Sequence, residues 1–198
     1  MIKQALETFA RSAFDHNLFA NNETAIRFEL ALGDTRIERF DTALHRASTV
    51  AKDVFQHSER LCVCLMYYGE SFVEAKSSFR SLKDCEVTIN RPYAIDRQQI
   101  DDDFGGETQT RIFFESDLGS VYRMIWGTVA RELGVRPCLG FNLYIFDPDL
   151  RILMHPYDDR GMDILGPNRE RMSEIYAKYR DWLLDYNIAE MRERYGPN

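Results

Sequence analysis

The chain has 198 residues, of which 44% are hydrophobic and 29% are charged, so we expect a single folded domain, residues 1–198, with a sizeable core. The formal net charge is -7, and an acidic surface repels nucleic-acid phosphate and anionic lipid, which argues against nucleic-acid and membrane partners. The same charge suits a protein partner, and a basic one in particular.

The first half of the chain alternates between helical and strand patterns. Apolar residues at helical spacing predict a helix over residues 2–14, and the alternation in TAIRFELAL predicts a half-buried strand. A long helix is expected over roughly residues 35–57, with Asp34 as its N-cap. The apolar run RLCVCLMYY predicts a strand that is buried on both faces and therefore central in a sheet. SFVE matches a capping box at the start of another helix, and CEVTIN suggests a short strand.

The next segments contain the weakest and the strongest patterns. Residues 90–107 hold a proline, a Gly-Gly pair and the acidic run Asp101–Asp103, which predicts a long loop or one with a short helix. TQTRIFFES predicts a strand, and an apolar stripe over residues 118–133 predicts a helix with Gly134 as its C-cap. Turn residues between two apolar runs predict a β-hairpin over residues 139–156.

The last segment completes a mixed order of elements. MDIL suggests a further short strand, Asn168 is placed to cap a helix, and a short amphipathic helix follows it. The order predicts the α+β (mixed α/β) class. We expect one central, mostly antiparallel sheet with helices packed on it, and a hairpin and helices at the C-terminal end.

The cysteines and the motif search argue against a cofactor. Cys62 and Cys64 share one face of the predicted strand and lack the spacing of a zinc or redox site, so we expect free, structural thiols. Nucleotide-binding, zinc-protease and serine-hydrolase motifs do not occur in the sequence. Free thiols, an N-terminus without the apolar core of a signal peptide, and no apolar run approaching ~20 residues predict a cytoplasmic location.

The segment HPYDDRGMD, residues 155–163, concentrates reactive side-chain types. Asp158, Asp159 and Asp163 carry oxygen ligands of the kind that Mg²⁺ and Ca²⁺ prefer, and His155 adds an imidazole. The spacing lacks the EF-hand pattern, and adjacent aspartates in an extended segment point to opposite faces. Only one of the two adjacent aspartates, Asp158 or Asp159, would then face a given pocket. Acid–base catalysis would need Asp163 or His155 as the second group. We assign no metal ligand and no catalytic residue here.

The same segment has a structural interpretation. DDRG is turn chemistry, in which Asp bonds nearby backbone and Gly161 takes a positive φ. Arg160 would lock the turn by pairing with aspartates, and Tyr157 would anchor it with its ring. A rigid charged turn also makes an exposed binding epitope. The candidate binding residues are Tyr157, Asp158, Asp159, Arg160 and Asp163, together with Asp101, Asp102 and Asp103.

Two segments carry a family resemblance. Tyr157–Asp163 reads YDDRGMD, and Tyr176–Tyr186 reads YAKYRDWLLDY. In this order after a hairpin they resemble the bacterial family called domain of unknown function 3885, and residues 26–30 and 43–48 are also similar to it. The resemblance covers most of the chain and is strongest over residues 140–195. It implies a single cytoplasmic bacterial domain and assigns no activity.

Two functions from different classes are compatible with these observations. The first is a non-enzymatic protein-interaction domain, in one version an immunity or antitoxin-like protein that binds a bacterial toxin. Aromatic residues would anchor its interface, and acidic groups would steer a basic partner. The alternative is a metal-assisted hydrolase that uses Asp158, Asp159 and Asp163 with His155. The sequence leaves the partner and the oligomeric state open.

Overall fold

The computed structural model describes residues 2–15, 18–100 and 106–196. In these ranges the strands are β1 (Ile26–Glu29), β2 (Cys62–Tyr68), β3 (Tyr93–Ile100), β4 (Glu107–Glu115), β5 (Asn142–Asp147), β6 (Ile152–Pro156) and β7 (Gly161–Leu165). The α-helices are α1 (Ile2–Phe9), α2 (Leu18–Asn21), α3 (Arg36–Phe55), α4 (Lys76–Asp84), α5 (Leu118–Leu133), α6 (Arg169–Lys178) and α7 (Ile188–Tyr195).

All of the described strands belong to one sheet, in the order β1-β7-β6-β5-β2-β4-β3. Each neighbouring pair is antiparallel, which confirms the α+β class with an antiparallel sheet. Strand β2 lies inside the sheet between β5 and β4 and is buried from Cys62 to Tyr67, as its continuous apolar run predicts. The predicted hairpin is formed by β5 and β6, and the suggested strand MDIL is part of β7.

Helices pack on the sheet. Helices α3 and α5 contact each other and approach the central strands β5 and β6. At the N-terminal end, Phe14 packs edge-to-face against Phe113, Tyr144 and Phe146, which share one face of the sheet. These aromatic contacts hold the N-terminal segment against the sheet. None of the helices in the described ranges combines the length and the apolar composition that crossing a bilayer requires.

Capping groups set several helix ends. Helix α3 is capped by Thr35 and not by the predicted Asp34, because Thr35 and Glu38 form a reciprocal capping box. The backbone hydrogen bond that Thr35 donates to the Glu38 carboxylate lowers the pKa of Glu38. Gly134 ends α5 with a φ of 70°, and Asn168 caps α6, both as predicted.

The first predicted helix, over residues 2–14, is wrong beyond Phe9. Ala10 has a φ of 60°, in the left-handed region that interrupts an α-helix. The chain continues as a 3₁₀ turn over Arg11–Phe14.

The loop predicted over residues 90–107 is also wrong in part, because β3 occupies Tyr93–Ile100. This strand pairs with β4 along its whole length, from Tyr93 opposite Phe114 to Ile100 opposite Glu107. It is one of the two edge strands of the described sheet, and at an edge polar residues are tolerated and discourage further pairing. The acidic run Asp101–Asp103 lies outside the described residues.

The strand suggested for CEVTIN, residues 85–90, does not form. Val87 N donates to the carbonyl oxygen of Leu82 at 2.9 Å, so this backbone completes the end of α4. At the other end of that helix, Ser71 and Glu74 make the reciprocal bonds predicted for SFVE, although the regular helix begins at Lys76.

Candidate functional site

The signature block, Tyr157–Asp163, connects β6 to β7 beside a row of polar side chains. Arg27 on β1 lies opposite Asp163 on β7, and Asp163 lies opposite His155 on β6. Opposed residues in antiparallel strands point to the same face, so these three side chains form a row across the sheet. Tyr144 on β5 extends it, because its ring stacks on that of His155 with 4.1 Å between the centroids.

Asp163 is fully buried and is held by Arg27. The Nε and NH2 groups of Arg27 donate to the two carboxylate oxygens at 2.7 and 2.8 Å. The side chain of Asp163 is 0% exposed and that of Arg27 is 24% exposed. Burial raises the pKa of Asp163, while the hydrogen bonds and charge of Arg27 act against that rise. The same hydrogen bonds raise the pKa of Arg27.

The two adjacent aspartates have separate arginine partners. Asp158 accepts a hydrogen bond from Arg160 Nε at 2.8 Å and another from the backbone N of Arg160 at 2.7 Å. Asp159 accepts from Arg39 NH2, on α3, at 2.7 Å. Both aspartates are buried, whereas the side chain of Arg160 is 72% exposed. Within the block, Arg160 is therefore the charged side chain that solvent or a partner can reach.

Gly161 is needed for space and not for a positive φ, so the predicted left-handed glycine is wrong. A Cβ atom at this position would lie 2.1 Å from Tyr157 Oη and 2.7 Å from the carbonyl oxygen of Phe28. The Tyr157 ring thus packs directly on Gly161. The turn is closed by Tyr157 N, which donates to the carbonyl oxygen of Gly161 at 3.2 Å. Burial also raises the pKa of Tyr157.

A cavity of about 550 Å³, called the signature cavity below, opens beside the block. Its charged lining consists of Arg27, Arg131, Arg160, Asp158 and Glu132. The other lining residues are Asn142, His155, Tyr157 and Leu184. His155 Nδ1 donates to the carbonyl oxygen of Leu143 at 2.8 Å, since a carbonyl oxygen accepts and does not donate. This bond and the stacking on Tyr144 hold the imidazole in place.

The predicted binding residues are only partly brought together. Tyr157, Asp158 and Arg160 line the cavity, while Asp163 supports Arg27 in its wall and Asp159 bonds to α3. Asp101, Asp102 and Asp103 lie outside the described residues, so their predicted role stays a prediction. Sequence reasoning missed the arginines that complete the site, which are Arg27, Arg39 and Arg131. For Arg27 the available signal was its polar position in an alternating strand.

The geometry gives no specific support to a metal centre. Within residues 2–15, 18–100 and 106–196, no three His, Cys, Asp or Glu side chains group closely enough to hold a metal ion. Asp158, Asp159 and Asp163 each bond to a different arginine. The metal-assisted hydrolase stays a prediction that no contact in these ranges favours.

We expect Arg160→Ala to lower the free energy of unfolding by about 1 kcal/mol or less, because the lost ion pair is exposed on its arginine side. The backbone N–H of residue 160 remains to bond Asp158. Urea unfolding at pH 7 measures the effect. A much larger loss would support the prediction from the sequence that Arg160 is the residue that locks the turn.

Comparison with known proteins identifies a family. The sequence model of the family described as Domain of unknown function (DUF3885) matches residues 2–187 of the chain. Searches of curated proteins and of solved structures found no match. The matched range contains the signature block, the cavity and all strands of the sheet. The chain therefore belongs to the DUF3885 family, as its resemblance to that family predicts.

Proposed function

We propose that the chain is a non-enzymatic protein-interaction domain whose recognition site is the signature cavity, and that it acts as an immunity or antitoxin-like protein on a bacterial toxin. The observation that supports this proposal is the use of the block's acidic groups. Each of its three aspartates, Asp158, Asp159 and Asp163, forms an ion pair with an arginine, and these pairs stabilise the backbone and side chains beside the cavity. Such an arrangement suits a preformed receptor better than a reacting centre.

The cavity has features that favour binding. Its wall carries the rings of His155 and Tyr157, whose centroids are 5.9 Å apart. Aromatic surface held in one conformation contributes binding energy at a low entropic cost. Arg160 lines the cavity with an exposed side chain, and a guanidinium can donate two parallel hydrogen bonds to a carboxylate of a partner.

The net charge of -7 adds long-range steering of a basic partner. Steering and local recognition are separate contributions, since the first acts on the encounter rate and the second on the lifetime of the complex. A basic toxin that presents an acidic group to the cavity would satisfy both.

The experiment is capture of a partner from the native host by the chain of residues 1–198, followed by co-expression with any toxin-like product of a neighbouring gene. We expect one protein to be retained and the host to be protected. Arg160→Glu should abolish both effects, because it reverses the charge of a side chain that is 72% exposed at the cavity.

Arg123→Glu is the matched control, since Arg123 is an exposed arginine of α5 that does not line the signature cavity. It should retain the partner and the protection. Absence of any retained protein and of protection would contradict the proposal. Equal loss of partner retention in Arg160→Glu and Arg123→Glu would also contradict it, because retention would then depend on the net charge of the chain and not on the cavity.

A further inference from the structure

Arg131 has an electrostatic environment unlike that of the other cavity arginines. Its Nε donates to the carbonyl oxygen of Leu139 at 2.9 Å, and its NH2 donates to the carbonyl oxygen of Phe141. Arg27 and Arg160, by contrast, each bond to an aspartate. Across the described residues, Arg131 forms no ion pair within 4.0 Å.

A partly buried guanidinium without a bonded carboxylate is unusual, because removing a charge from water costs free energy that a counter-charge normally offsets. The carbonyl oxygens of Leu139 and Phe141 are neutral. Burial lowers the pKa of Arg131, and Glu132 and Asp158 attract it through space without bonding to it. Asp158 is already bonded to Arg160. A full counter-charge for Arg131 is thus missing from the described contacts.

The unused donors of the cavity point to the same kind of ligand. In each of Arg27, Arg131 and Arg160, the described contacts occupy Nε and NH2 and leave NH1 without a protein acceptor. All three arginines line the cavity. The charge of the lining is three arginines against Asp158 and Glu132, which leaves an excess of one positive charge. Glu132 is exposed, so solvent screens its repulsion of an anion.

We propose that the signature cavity binds an oxyanion, a carboxylate or phosphate group, with Arg131 as its principal contact and Arg27 and Arg160 as additional donors. A guanidinium fork matches the geometry of both groups. The volume of about 550 Å³ is larger than one such group needs, so the anion belongs to a larger body that lies against the rings of His155 and Tyr157. This inference rests on the proposed function in that it names the group which a partner would insert into the same cavity.

The test is titration of the chain of residues 1–198 with sodium phosphate and, separately, with sodium succinate, at constant ionic strength set with sodium chloride. We expect a saturable rise in Tm with at least one of the two anions and none with chloride alone. Succinate acting more strongly than phosphate would assign the site to carboxylates, and the reverse order would assign it to phosphates.

Variants locate the site. Arg131→Gln should raise the Kd for the preferred anion at least tenfold, and Arg160→Ala by a few-fold. Arg123→Gln, on the same helix but outside the cavity, should leave the Kd unchanged. If Arg131→Gln does not fold, the arginine Nε–H signals in an NMR titration of the unmodified chain replace it, and the signal of Arg131 should shift with the anion.

Two results would overturn the inference: no saturable effect of either anion, or equal anion affinity in the unmodified chain and Arg131→Gln. These failures are distinct from failure of the proposed function. A chain that binds the anion but retains no protein partner refutes the interaction domain alone. A chain whose partner binds Arg131→Gln normally, without any anion effect, refutes the oxyanion site alone.

Discussion

Arg27→Met is expected to lower the free energy of unfolding by about 3–5 kcal/mol at pH 7, because it strands a buried carboxylate without its partner. Asp163 is 0% exposed, and both of its oxygens bond to Arg27. A backbone hydrogen bond at Phe19 also stabilises its charged form. The guanidinium of Arg27 also lies over the Phe19 ring, 4.7 Å from its centroid, and methionine keeps an unbranched apolar side chain at this position, so we expect loss of packing to contribute less than the unpaired carboxylate.

Substitution of the other member of the pair, Asp163, should lower the free energy of unfolding by less. Asp163→Asn leaves an unpaired guanidinium, but the Arg27 side chain is 24% exposed and can turn toward solvent. The asparagine keeps one oxygen for hydrogen bonding. We therefore expect Asp163→Asn to lower the free energy of unfolding by about half as much as Arg27→Met, on the order of 2 kcal/mol.

The dependence on pH identifies the stranded carboxylate as the cause. In Arg27→Met the pKa of Asp163 in the folded state rises further above its unfolded value, which is about 3.9. A group with a raised folded pKa contributes stability that is fully present below the unfolded pKa and is lost as the pH rises through the folded pKa. The difference between the unmodified chain and Arg27→Met should therefore be small near pH 4 and should grow toward pH 7.

Urea unfolding at several pH values measures this effect, with Arg123→Met as the control for loss of an exposed arginine. The double variant Arg27→Met/Asp163→Leu removes both charges and should regain most of the loss. A loss in Arg27→Met that is independent of pH would contradict the role of the pair. So would a double variant whose loss of stability equals the sum of the losses measured for Arg27→Met and for Asp163→Leu alone.

Sequence reasoning predicted the local elements where one pattern dominated. The run RLCVCLMYY predicted the interior strand β2, and DPDL predicted the turn between β5 and β6, because burial and turn chemistry are encoded within a few residues. Strand β3 was missed because its residues YAIDRQQI are polar at an edge, and it is the pairing with β4 that makes them a strand.

The candidate site was predicted less completely than the fold, because its contacts join distant parts of the chain. Arg27 and Asp163 are 136 residues apart, and Arg39 and Asp159 are 120 apart. Their meeting depends on β1 pairing with β7 and on the position of α3. Neither arrangement follows from local spacing. The sequence pattern therefore identified the aspartates, but it predicted the nearby Arg160 as their partner and missed Arg27 and Arg39.

Gly161→Ala is expected to lower the free energy of unfolding by about 3 kcal/mol, because the added methyl group has no space. Its Cβ would lie 2.1 Å from Tyr157 Oη and 2.7 Å from the carbonyl oxygen of Phe28. The tyrosine could move, but Phe28 is in β1, and displacing its carbonyl oxygen would disturb the pairing of β1 with β7.

A double variant isolates the contribution of the hydroxyl. Tyr157→Phe removes the hydroxyl, so Gly161→Ala/Tyr157→Phe should regain part of the loss, while the close approaches to the ring carbon Cζ and to the carbonyl oxygen of Phe28, each 2.7 Å, remain. Gly134 supplies the matched control, because it has a φ of 70° and nothing within 4 Å of an added Cβ. Asparagine tolerates that backbone conformation, so Gly134→Asn should cost about 1 kcal/mol or less.

Gly161→Asn, by the same reasoning, should be at least as destabilising as Gly161→Ala, because asparagine relieves backbone strain and not a steric clash. Thermal or urea unfolding of the four variants distinguishes the two causes. Near-native stability of Gly161→Asn would mean that the turn needs a left-handed backbone after all. A stable Gly161→Ala would mean that the ring of Tyr157 is not fixed against the block, and the cavity wall that it forms would then be adjustable and not preformed.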